Sequence, residues 1–146
     1  MPKLVHELIG KAARTCSERP ALAYRGEELS YAELQSQVAV LAGGLAACGL
    51  GRGARVAVYL EKRIETVLSI FATSMASGAF VPINPLLKPA QVGYILRDCQ
   101  VSVLISSKQR LSGLREEIQG CRDLKTLVST DGMPADWDPG ALEVVA

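Results

Sequence analysis

The amino-acid sequence predicts an α/β fold, a parallel-sheet three-layer subdomain preceded by a helix and a β-hairpin. Three observations carry this expectation. ARVAVYL (54–60), AFVPI (79–83) and VSVLI (101–105) are short, nearly continuous apolar runs, the pattern of strands covered on both faces. Between them lie segments whose apolar residues recur at helical spacing. The two kinds of segment alternate, which is the order that right-handed crossovers turn into a parallel sheet.

The elements follow in chain order. MPKLVHELIGKAARTCSERP is an amphipathic helix pattern with apolar positions Val5, Leu8, Ile9, Ala12 and Cys16. His6, Glu7 and Lys11 interrupt it, so it lacks the apolar core of a signal peptide. Pro20 ends the pattern, and residues 21–24 and 28–31 around Arg25-Gly26-Glu27 predict a hairpin. Ser30 and Glu33 have capping-box spacing. Leu34, Val38, Leu41, Ala42 and Leu45 form the stripe of the helix they open, and Gly49 stands where a left-handed cap falls. GLGRG (49–53) is read as a helix-to-strand turn. A phosphate loop has the reverse order, strand before helix, and the spacing differs from G-x-G-x-x-G.

Ile64, Val67, Leu68, Phe71, Ala72 and Met75 give the next stripe, which Gly78 is expected to end. Pro82 puts strand 79–83 near a strand end or sheet edge. Pro89 suits a helix's first turn, and Val92, Ile95, Leu96 and Cys99 form its apolar face. Ser107 is expected to cap one helix from Lys108 to about Ile118, with a further strand over 124–128. TDGMPADWDPG, from Thr130, is turn-rich. Residues 1–130 are therefore expected to form the α/β subdomain, and 131–146 a loop or linker leading into a missing remainder.

Sixteen basic and fifteen acidic side chains leave a net charge of +1, which excludes a general field for nucleic acid or anionic membrane. No apolar run nears the ~20 residues of a spanning helix, and a cytoplasmic protein is expected. Four cysteines without a Cys-x-x-Cys pair, and one histidine, predict no metal site. Neither a Gly-x-Ser-x-Gly elbow nor a Gly-x4-Gly-Lys-Ser/Thr loop is present. Open α/β sheets bind ligands beyond the carboxyl ends of their strands. Those ends carry Glu61-Lys62-Arg63, Asn84-Pro85 and Ser106-Ser107-Lys108. Lys62 and Arg63 suit a helix N-terminus poorly, because its dipole prefers acids. They read either as a solvated helix start or as an anion or partner contact. Ser106, Ser107, Lys108 and Arg110 read either as a cap with exposed charges or as a phosphate site at a helix N-terminus.

LSYAEL (29–34), GLGRGARVAVYLEKRIETVLSIFATSMASGAFVPINP (49–85), Tyr94-x-Leu96-x-Asp98 and VSVLI (101–105) form an ordered series. The series resembles the N-terminal portion of AMP-forming acyl-CoA synthetases and ligases. These belong to the adenylate-forming superfamily, which includes peptide-synthetase adenylation domains and firefly luciferase. The resemblance runs from about Arg19 to Arg110. LEKRIE and NPLLKPAQVGYILRDC look most like bacterial acyl-CoA ligases of the polysaccharide-export, exosortase-associated type. Gln91 stands where many members carry Glu, and Glu61-Lys62-Arg63 replaces a common Pro-Asn-Ser-like stretch. Both departures blur the substrate class.

The resemblance implies a two-step reaction, in which a carboxylate attacks the α-phosphate of ATP and a thiol then displaces AMP. It implies ATP, Mg and CoA as cofactors of a full-length parent, with none expected on the fragment. The family's Ser/Thr/Gly-rich loop ending in Lys-Gly, its later adenosine motifs and its C-terminal lysine do not occur in residues 1–146. An N-terminal fragment, inactive alone, is therefore the expectation, with no catalytic or metal-binding residue of its own. Its expected partners are the rest of the parent chain, a small carboxylic acid and CoA. No nucleic acid and no membrane span are expected, and an apolar face made for the missing half would favour self-association. Lys108 and Arg110 are the candidate cofactor-binding residues. In some relatives a basic segment after the strand matching 101–105 approaches the CoA nucleotide, which would put Arg110 near the CoA 3′-phosphate. Two other readings stay open: an adenylation domain loading a carrier protein, and a non-catalytic α/β interaction module. A small nucleotide-binding protein is weakened by the lack of a glycine-rich strand-to-helix turn.

Overall fold

A computed structural model describes residues 3–145; Met1, Pro2 and Ala146, which the sequence reading assigned to the first helix pattern and the terminal segment, lie outside them. Helix α1 (His6–Thr15) opens the described chain and buries only Ile9. Val5 and Leu8 of the expected stripe are 41% and 54% exposed, so that face is only partly covered. Strands β1 (Pro20–Tyr24) and β2 (Glu27–Ser30) form the antiparallel hairpin. Arg25 and Gly26 both take left-handed φ, 50° and 85°. That is the type I′ turn whose twist matches paired strands.

Ser30 starts helix α2 (Tyr31–Ala47) with the capping box. The Glu33 N–H donates to Ser30 Oγ at 3.3 Å, and the Ser30 N–H donates to Glu33 Oε2 at 2.8 Å. Ser30→Ala is expected to cost about 1 kcal/mol, and Ser30→Asp to restore most of it. Urea unfolding midpoints check this. Leu34, Val38, Ala42 and Leu45 of α2 are buried, and Gly49 takes the left-handed cap at φ 77°.

Strand β3 (Arg55–Tyr59), helix α3 (Ile64–Met75), strand β4 (Ala79–Pro82), helix α4 (Pro89–Asp98) and strand β5 (Val101–Ser106) follow the expected alternation. Helices α5 (Lys108–Gly113) and α6 (Arg115–Gln119), then strands β6 (Thr126–Ser129) and β7 (Glu143–Val145), complete it. The sheet is parallel throughout, in the order β4-β3-β5-β6-β7. Pro82 lies on the edge strand β4, as its missing N–H requires. Alternate residues feed two cores. Val56, Val58, Val103 and Ile105 face α1, α2 and α3, while Ala57, Leu104 and Leu127 face α4, α5 and α6. The fold is thus the expected three-layer α/β arrangement. None of its described helices is long and apolar enough to cross a membrane.

Four local expectations are corrected. The left-handed residue after α3 is Ser77, at φ 65°, not Gly78. Gly78 is needed for space, since a Cβ there would lie 3.0 Å from Leu50 Cδ2 and Thr73 Cγ2. The helix expected from Lys108 to Ile118 breaks at Leu114, after Ser112-Gly113, a pair with poor helix propensity. The break still lets Leu111, Leu114 and Ile118 enter one core. Ser107 makes no side-chain cap; Asp131 does so from a distance of 23 residues. Finally, residues 131–146 are not simply a loop or linker, because β7 pairs with β6 and extends the sheet.

Candidate functional site

The carboxyl ends of β3, β4 and β5 bring together the polar residues singled out in the sequence. Arg110, from α5, donates through Nε to Glu61 Oε2 at 2.9 Å and through Nη1 to the Pro85 carbonyl at 2.9 Å. Its guanidinium also stacks on Tyr59, 4.8 Å from the ring centroid. Tyr59 Oη donates to the Leu87 carbonyl at 3.0 Å, and the buried Ser106 hydroxyl donates to the Tyr59 carbonyl at 2.7 Å. Three strand-to-helix connections are therefore tied through one arginine and one tyrosine. Asn84 turns its own segment by accepting the Leu86 N–H at 2.9 Å.

Arg63 answers the charge conflict at the start of α3. Its Nε and Nη2 donate to the two Glu65 oxygens at 2.8 and 2.6 Å, and Nη1 lies 3.5 Å from Glu61. An acid in the first turn thus neutralises the base that precedes it. Lys62 is exposed. The Glu65 carboxyl is held below its ordinary value by the Arg63 hydrogen bond. A backbone N–H and then Arg110 do the same for Glu61. A carboxyl depressed on folding contributes stability above its unfolded pKa and loses it as pH falls through the lower folded value. Stability from these pairs is therefore expected to be level near neutrality and to fall below about pH 4.5. Glu65→Gln should flatten that acid limb by up to about 1 kcal/mol, as suits partly exposed pairs. Urea midpoints at successive pH values measure it.

At the N-terminus of α5 the first N–H group is already paired. The Lys108 N–H donates to Asp131 Oδ1 at 2.6 Å. Asp131 therefore competes with a phosphate for one N–H group of that turn. Only the turn composition of Thr130-Asp131-Gly132 marks Asp131 in sequence, because its partner follows the neighbouring strand β5, 23 residues earlier. His6 lies elsewhere, with Nδ1 3.0 Å from Ser74 Oγ, linking α1 to α3. Burial pushes the Cys48 and Cys121 thiols up, away from the reactive thiolate. The network pairs its own charges and holds no nucleophile beside a base. Its chemistry is that of a scaffold joining strand ends.

Comparison with known proteins gives a consistent result. The family model described as AMP-binding enzyme matches residues 9–144. The chain is 34% identical over 106 residues to tyrocidine synthase 1 of Brevibacillus parabrevis, covering 73% of this chain and 10% of that protein. The crystal structure of coronafacic acid ligase from Pectobacterium brasiliense superposes with a TM-score of 0.88 at 19% identity, covering 97% of this chain and 28% of that one. The anthranilate CoA ligase AuaEII, solved with anthranoyl-AMP, superposes with a TM-score of 0.81 at 26% identity, covering 88% and 25%. The chain thus spans between a tenth and under a third of the length of these relatives.

Proposed function

The chain belongs to the AMP-binding enzyme family, and from that premise we propose that it is the N-terminal part of a longer, ATP-dependent, AMP-forming acid–thiol ligase. A carboxylate oxygen would attack the α-phosphorus of ATP, expelling pyrophosphate and leaving an acyl-adenylate. A thiol would then attack the acyl carbonyl and expel AMP. ATP and Mg serve the first step; Mg would offset phosphate charge. The observation that carries this reading is the family match over 9–144, nearly the whole chain.

The acceptor has two readings. CoA is supported by the 26% identity to a solved ligase named for CoA. A carrier-protein thiol is favoured by the higher identity to tyrocidine synthase 1. With CoA as acceptor, Lys108 and Arg110 are the residues offered to its phosphate, and Arg110 would trade Glu61 for a phosphate oxygen. The parent would act in the cytoplasm, with residues after Val145 leading into its remainder.

The product of the reading frame extended past Ala146 is expected to show acid-dependent ATP–pyrophosphate exchange. Residues 1–146 alone should show none above background. Silence from the extended protein across a broad panel of carboxylic acids, or exchange by the short chain, would end the proposal. Supplying CoA and a carrier protein in parallel separates the two acceptors.

A further inference from the structure

The hairpin stands apart from the parallel sheet as a two-stranded unit. Such a ribbon is marginal alone and presents two edges. The β2 edge carries Glu27 and Glu28, charges that discourage pairing. The β1 edge, PALAY, carries no charge. Tyr24 and Glu27 flank the I′ turn and form a bonded pair, so the next pair, Ala23 and Glu28, is unbonded within the hairpin. The Ala23 N–H and C=O therefore point away from β2. Ala23 is exposed, and among the described residues 21–24 make no backbone hydrogen bond beyond the hairpin.

Two apolar clefts, of about 300 and 170 Å³, meet beside this edge. Leu22 and Val67 line both, and each touches the hairpin through β1 and not β2. Leu8 and Phe71 form the far wall of the larger cleft, and Ile64 part of the smaller. A strand laid along β1 would find free backbone partners, and apolar receptacles for its alternate side chains on one face.

We propose that β1 accepts a further strand from the part of the parent chain that follows residue 146, an inference that rests on the ligase reading above. The chain spans 28% and 25% of the two solved ligases, so most of such a parent lies outside it. A tethered segment reaches β1 at an effective concentration of about millimolar. A second copy would offer only its own five-residue edge, about 17 Å long. Two such edges paired along that length bury well under the roughly 1,000 Å² a stable interface needs, and Pro20 brings no N–H.

Amide hydrogen exchange on the 146-residue chain and on the extended parent tests this. The Ala23 amide is expected to exchange almost unprotected in the short chain and at least about 100-fold slower in the parent. Ala23→Pro removes the outward N–H and spares the hydrogen bonds within the hairpin, while fixing φ at about −65° in both chains. It should lower the parent's melting point by roughly 4 °C or more beyond any loss in the short chain. An unprotected Ala23 in a parent that still exchanges pyrophosphate overturns the strand addition alone, as does an equal Ala23→Pro loss in both chains. A parent without acid-dependent exchange overturns the ligase reading. Protection in the short chain that rises with concentration places a second copy on β1 and overturns the parent segment as its occupant.

Discussion

Leu104→Ala is expected to remove about 2–5 kcal/mol, a large share of the roughly 5–15 kcal/mol by which an ordinary protein is stable. Leu104 is fully buried on β5, whose neighbours in the sheet are β3 and β6. Its side chain enters the core shared with α4, α5 and α6, in register with Ala57 and Leu127. The flanking strands hold β5 in place, so the walls close only partly over the lost methyl groups and a cavity remains. Leu104→Met keeps the volume and should cost under about 1.5 kcal/mol. Urea unfolding of both variants checks the pair. Similar losses for alanine and methionine would mean that shape, not volume, governs this layer.

Arg110→Ala should lower stability by about 2 kcal/mol, through two charge-assisted hydrogen bonds and the contact with Tyr59. Its side chain is 22% exposed, which keeps the figure below that of a fully buried pair. Arg110→Lys should recover less than half, because an ammonium cannot reach Glu61 and Pro85 together while lying flat on a ring. The same variant serves the extended enzyme. If Arg110 also holds a CoA phosphate, Arg110→Lys raises the KM for CoA about tenfold, the loss of one strong contact. The KM values for ATP and the acid should stay unchanged. An unaltered CoA KM leaves Arg110 as a strand-end clamp and ends that proposal.

The layer order was legible because each element carries its own signal. Apolar runs mark β3 and β5, helical stripes mark α2, α3 and α4, and Ser30 with Glu33 marks a cap that the structure forms. What stayed hidden depends on residues distant in the chain. Nothing local shows that Asp131 caps α5, or that Arg63 and Arg110 share Glu61. Strand β7 is three residues long and follows a turn-rich stretch, so its pairing with β6 outweighs its own composition. Gly78 has the position of a helix stop in the sequence, although its requirement comes from Leu50 and Thr73 across a tight approach.

The strand order also prescribes how the sheet grows during synthesis. Strand β3 waits for β4 on one side and β5 on the other, so the centre cannot close until Ser106 has been made. After that, β6 and β7 each add to the same margin in the order in which they are translated. No earlier pairing has to open to admit a later strand. An interrupted chain would thus present one ragged, growing margin to its neighbours, and premature termination between residues 106 and 126 should yield the most aggregation-prone products.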